Sequence, residues 1–250
     1  MTLPEATRAE WTKLRTQATT GWLLIGVVAL TMAFSGAAAD VLGALPGVDQ
    51  TRLSLTGIAL GQAVVAVLAA LAIGGEYDSG MIRVTLVAMP RRPTVLAAKA
   101  AVVGAVTLVA GAVAVAGCLL LGRLVLPAGG HALVAGGPTT LRAAAGSVLY
   151  LVLVAWLSLG LAAVVRSSAA AIGTVLGLLY VVPVLAEAVG DPGWQHRLQQ
   201  VGPMTAGLAI QSTTGLDRLS IGPWAGLGVL AGWAGAALLA GGLALWLRDA

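Results

Sequence analysis

Charged residues divide the chain into six long apolar stretches. They run between Arg15 and Asp40, Arg52 and Glu76, Lys99 and Arg123, Arg142 and Arg166, Arg166 and Glu187, and Arg218 and Arg248. Each holds the roughly 20 apolar residues an α-helix needs to cross about 30 Å of hydrocarbon. Two further uncharged stretches do not qualify. Leu124 to Leu141 contains Pro127, Pro138 and two glycine pairs, and Leu198 to Leu216 is rich in Gln, Ser, Thr and Gly, so both read as lying outside the spans. Lipid offers no partners to backbone N–H and C=O groups, and no strand-like alternation supports a barrel, so the crossings are helical. The pattern predicts an all-α integral membrane protein with one domain over residues 1–250 and spans at about 21–39, 54–75, 97–121, 146–165, 168–187 and 223–246.

Segments outside the spans carry patterns of their own. At the N-terminus Thr2 and Glu5 form a capping box with Pro4 inside the first turn. Trp11, Leu14 and Ala18 recur at helical spacing beside Arg8, Lys13 and Arg15, which reads as an interfacial amphipathic helix over residues 1–20. A solvated basic tail that only sets orientation is the plainer alternative. In the 76–96 loop, Ser79 is placed to cap a short helix from Gly80 to Met89, which Pro90 and Pro93 stop. Ile82, Leu86 and Met89 line one face of it, and Arg83 is its only charge. Such a helix is too short to span and too apolar to stay in water, so it needs a protein groove or the membrane surface. In the 188–222 loop, Trp194–Val201 and Met204–Gln211 each read as a short helix between Gly-Pro pairs.

The basic residues orient the protein. With six spans both termini share a side, and that side holds Arg8, Lys13, Arg15, Arg83, Arg91, Arg92, Lys99, Arg166 and Arg248, nine of the 14 Lys and Arg. Arg52, Arg123, Arg142, Arg197 and Arg218 fall on the other. The positive-inside bias places both termini in the cytoplasm, and Trp22, Trp224 and Trp246 sit at span ends as interfacial rings do.

Composition agrees and narrows the chemistry. The chain is 58% hydrophobic and 10% charged, against roughly 25% charged in soluble domains. Its 34 glycines suit closely packed membrane helices, and the polar first 20 residues do not read as a cleavable signal. Gly57 and Gly61, Gly173 and Gly177, and Gly228 and Gly232 have small-xxx-small spacing. Cys118 stands alone, and His131 and His196 fall in separate loops, so no metal cluster or disulfide framework is expected. No span contains a His, a paired Asp or a Gly-x-Ser-Gly turn, which argues against an intramembrane hydrolase. The basic residues flank spans and form no nucleic-acid patch. No ionisable residue lies mid-span, and Glu187 and Arg123 sit near outer ends, which disfavours proton or sodium coupling. Gln62 is the notable polar residue within a span, an amide that seeks a partner or a cavity.

The run Glu76-Tyr77-Asp78-Ser79-Gly80-Met81-Ile82-Arg83-Val84-Thr85-Leu86, continuing through Pro90-Arg91-Arg92 to Lys99, resembles the cytoplasmic loop of type-2 ABC transporter permeases. In that family an acidic residue ends span two, a Gly-x-x-Arg-x-x-Leu helix follows, and a Pro-x-Arg turn leads to a Lys that opens span three. Gly80, Arg83, Leu86, Pro90, Arg92 and Lys99 match, and Glu10-Trp11-Thr12-Lys13-Leu14-Arg15 resembles the family's entry to span one. The resemblance implies a permease in a bacterial cell membrane whose short helix, through Gly80, Ile82, Arg83, Leu86 and Met89, docks on a separate ATP-binding subunit. Trp11, Leu14, Glu76, Arg92 and Lys99 then belong to the cytoplasmic interface. A second permease protomer completes the assembly, with spans two and five facing each other, which makes Gln62 and Tyr180 candidates to line a path for a hydrophobic or amphipathic cargo. This chain binds no cofactor under that expectation. Its only lysines, Lys13 and Lys99, lie outside any Gly-Lys-Ser/Thr context, so ATP and Mg belong to the partner. A non-transport scaffold, anchor or immunity protein is the alternative reading.

Overall fold

The computed structural model describes residues 2–43, 47–88, 92–125, 137–188 and 192–247. Met89, Pro90, Arg91, Pro127, His131 and Arg248, together with the side chains of Glu187 and Arg218, lie outside the described residues. α1 (Leu3–Thr16) and α2 (Ala18–Leu42) are separated by Gln17, whose ψ of 112° breaks the helical path. A short α3 (Gln50–Ser54) leads into α4 (Ile58–Asp78), then α5 (Met81–Ala88), α6 (Arg92–Val125) and α7 (Pro138–Val165). α8 (Ser168–Leu176) continues through a π turn at Gly177–Val181 into α9 (Val182–Ala188). α10 (Pro192–Val201), α11 (Pro203–Leu208) and two 3-10 turns precede α12 (Pro223–Leu247). Six helical units among the described residues are long and apolar enough to cross a bilayer, which makes this a multi-pass membrane protein.

α7 is the central post, packed on α12, α4, α6 and α8. Within the most apolar windows of α4 and α7, 61% of residues are buried, against 22% in α2 and 17% in the α8–α9 unit. The first and fifth spans therefore lie on the outside, with apolar surface left for lipid or another chain. Close approach depends on glycine at two crossings. A Cβ at Gly57 would stand 1.9 Å from the Thr31 carbonyl oxygen of α2, and one at Gly160 would stand 2.4 Å from the Ala237 carbonyl carbon of α12. Gly57 N–H also donates to Ser35 Oγ at 2.9 Å. The other two glycine pairs face open space.

Helix starts differ from the pattern-based expectation wherever proline is involved. Pro93 and Pro138 stand in the first turns of α6 and α7, where a missing N–H costs nothing and the fixed φ suits the helix, so both spans begin earlier than their apolar cores. Ser79 does not cap α5. Its hydroxyl donates back to the Gly75 carbonyl at 2.7 Å and closes α4, and Gly80 makes the turn with φ of 73°, a conformation open to glycine.

Candidate functional site

The end of the bundle that carries α1 and α5 is held by a closed ring of four charges. Lys99, only 2% exposed, donates from Nζ to Glu10 Oε2 at 2.7 Å, to Glu76 Oε1 at 2.8 Å and to the Ala72 carbonyl at 3.0 Å. Lys13 Nζ reaches the same two carboxylates, at 3.1 Å to Glu10 and 2.9 Å to Glu76. Each ammonium thus lies between both carboxylates, which is how a charge cluster survives with little water. Burial works against a charged Lys13, but the Glu76 and Glu10 carboxylates outweigh it and hold its pKa above the ordinary lysine value. Thr85 ties α5 to the ring: its hydroxyl accepts from Lys13 at 3.2 Å and donates to Glu76 Oε2 at 3.4 Å. One network therefore joins α1, α4, α5 and α6.

A second set of bonds brings α7, α8 and α12 to this end. Arg92 donates to the Leu245 carbonyl at 2.7 Å and Arg166 to that of Ala244 at 3.0 Å, two guanidiniums on the last turn of α12, where the helix dipole favours cations. Arg166 also stacks 5.5 Å from the Tyr77 ring centre. Asp78 accepts from the backbone N–H and the hydroxyl of Ser168 at the start of α8.

α5 presents two unlike faces. Ile82 is 3% exposed, and Leu86 packs on the cluster of Ala6, Val95 and Ala98. Met81, Val84 and Val87 point away, at 51%, 68% and 85% exposure, with Gly80 and Arg83 beside them. Ile82 and Leu86, expected on a docking face, anchor the helix to the bundle, while the outward face holds valines absent from that expectation. Their spacing of three residues was visible, but eight residues of nearly continuous apolar sequence do not say which side packs.

α1 divides in a comparable way. Ala6, Glu10 and Leu14 are buried against α6 and the ring, whereas Trp11 is 50% exposed beside an apolar groove between α2 and α6. Trp11, Leu14 and Ala18 set the expected stripe, yet Glu10 is the centre of the packed face. Glu10 lies 89 residues from Lys99, so no local spacing reveals the pair.

Mid-bundle, Gln62 is fully buried and its Oε1 accepts from the Tyr150 hydroxyl of α7. Gln62 Nε2 and Ser147 Oγ are buried without a partner among the described residues. The Tyr180 hydroxyl, in the π turn, donates to the Ala59 carbonyl.

The opposite end is closed by two side chains, Asp49 and Arg142, hydrogen-bonded to the loop at residues 212–214. Asp49 caps α3 through Arg52 N–H at 3.0 Å and accepts from Thr213 N–H, Thr213 Oγ1 and Thr214 N–H at 2.6, 2.7 and 3.0 Å. Burial works against its charge, but these donors outweigh it and hold its pKa below the usual carboxylate value. Arg142 donates to the Ser212 carbonyl. Among the described residues no three His, Cys, Asp or Glu side chains gather where a metal could sit.

The sequence model of the family described as ABC-2 family transporter protein matches residues 6–184, from α1 through the fifth span. No curated protein matches the chain at a significant level.

Proposed function

The chain belongs to the ABC-2 transporter family, and we propose that it is the permease subunit of an ATP-binding-cassette exporter in a bacterial cell membrane. Both termini are cytoplasmic in this reading, a second permease protomer completes the path, and the cargo is hydrophobic or amphipathic. ATP and Mg are bound by a separate subunit.

One observation carries the proposal: α5 is anchored by Ile82 and Thr85 on one side while Met81, Val84 and Val87 stand exposed on the other. An apolar helical face of that size needs a partner groove, which the ATP-binding subunit supplies. Thr85 and the ring beyond it then pass movement of α5 to α1, α4 and α6 together, so spans two and three answer with α1 as a unit. Gln62 and Tyr180 are enclosed or half-enclosed at rest. They line the path when spans two and five turn, and thiol labelling of Gln62→Cys only during turnover is the corresponding sign.

The test is the double variant Val84→Asp with Val87→Asp, both exposed enough to leave the fold intact. In membranes containing the ATP-binding subunit it is expected to lose co-purification and cargo-stimulated ATP turnover by about tenfold or more, the scale of burying a charge in an apolar groove. Unchanged association and turnover would overturn the reading.

A further inference from the structure

At the end of the bundle opposite α1, a recess of about 390 Å³ lies between α3, α9, α10 and α11 and the loop that precedes α12. We propose that it seats an amphipathic anion, a carboxylate or phosphate carried on an apolar body.

The polar side of the recess is cationic and incompletely satisfied. Arg52 lines it, using its own backbone N–H to close the α3 turn on Asp49, while its guanidinium has no protein partner among the described residues. Ser212 lines it too, only 2% exposed, with its hydroxyl lacking a partner among the described residues. A hydroxyl buried that far normally finds a hydrogen bond, so an unpaired one in the wall of a recess is a place for a ligand acceptor to be drawn. Arg142 sits behind Ser212 on its carbonyl and adds a second positive charge. The Asp49 carboxylate is committed to Thr213, Thr214 and the α3 turn, and among the described residues no acidic side chain lines the recess.

The rest of the wall is mixed: Gln199, Thr205 and Ser220 are polar, while Pro183, Met204, Leu208 and Ile221 supply apolar surface for a hydrocarbon portion. Pro183 stands two residues after the π turn at Gly177–Val181, a departure from α geometry in the fifth span. Such turns gather where a helix has been reshaped around a site. The cation, the unpaired hydroxyl and the apolar part of the wall together fit an alkyl carboxylate or an alkyl phosphate. They fit a neutral alcohol poorly and an alkylammonium worst.

The location, on the side where an exporter would release cargo, deepens the exporter reading and rests on it for biological meaning. Binding itself requires no ATP-binding subunit, so the two can fail separately. The experiment uses the full chain in discs of zwitterionic lipid. Dodecanoate, dodecanol and dodecyltrimethylammonium, each with a diazirine at the chain end, are photolysed and the labelled peptides are mapped by mass spectrometry. The carboxylate probe is expected to label the segments around Pro183 and Met204 about tenfold more than the other two, as a charge-assisted hydrogen bond implies. Arg52→Gln should remove that preference, Arg52→Lys keep it, and Arg52→Glu transfer it to the ammonium probe. Suppression by added phosphatidylglycerol would support the seat and identify a lipid headgroup as the anion; suppression by inorganic phosphate without that lipid effect would support a free anion. Equal labelling by all three probes, or labelling indifferent to Arg52→Gln, would overturn the proposal.

Discussion

The two ends of this bundle are closed by different physics. At the α1 end, a ring of two lysines and two glutamates links three helices, Thr85 adds α5, and Arg92, Arg166 and Asp78 bring in α7, α8 and α12. At the other end one carboxylate, Asp49, and one guanidinium, Arg142, hold a loop by its backbone. A multivalent ring resists separation of any one helix and lets the joined helices move as a body. A loop held by only two side chains can open locally without disturbing the spans. The comparison thus separates a braced end, suited to receiving movement, from a yielding end, suited to opening.

Removing one member of the ring should do the most harm. Lys99→Met leaves Glu10 and Glu76 sharing Lys13 alone, one buried carboxylate uncompensated, and is expected to cost about 3–5 kcal/mol. Thermal unfolding in lipid discs checks it, and Glu10→Gln added to Lys99→Met should recover part of the loss. If Lys99→Met unfolds like the wild type, the ring is not a brace. At the other end Asp49→Ala removes a helix cap and the Thr213 and Thr214 bonds, for which about 1–2 kcal/mol is expected. A loss as large as that of Lys99→Met would erase the contrast between the ends.

The smallest effects separate the ends by pH. The Lys13 pKa is raised in the fold, so its contribution is complete below the unfolded lysine value of about 10.4 and disappears as pH rises through the folded value. The Asp49 pKa is lowered, so its contribution is present above about 3.9 and disappears as pH falls through the folded value. Stability differences between wild type and Lys13→Met should therefore vanish only in alkali, and those between wild type and Asp49→Ala only in acid. Parallel pH profiles for the two variants would contradict the assignment.

The spans could be read from the chain because membrane crossing imposes a constraint on composition that every stretch must meet locally. Their starts were harder, since Pro93 and Pro138 look like breakers until their place in a first turn is known. The π turn around Tyr180 has no compositional mark. At the candidate site, Gly80 and Lys99 were recognisable as motif positions, yet the physical reasons differ: Gly80 makes a left-handed turn and Lys99 is the hub of a ring. Glu10 and Lys13 stood in a recognised motif without a visible role, because pairing across 63 to 89 residues is tertiary information. The outward face of α5 was missed for a related cause. Periodicity finds a helix, but which side packs is decided by what lies underneath.

The central claim is that the exposed face of α5 is where an ATP-binding subunit engages. A single thiol at Val87→Cys tests it most directly, because Cys118 is fully buried and will not compete for reagent. In vesicles of known sidedness, a water-soluble maleimide should label Val87→Cys from the cytoplasmic side in the permease alone. Labelling should be blocked when the ATP-binding subunit is present. Labelling from the exterior, or equal labelling with and without that subunit, would contradict the account.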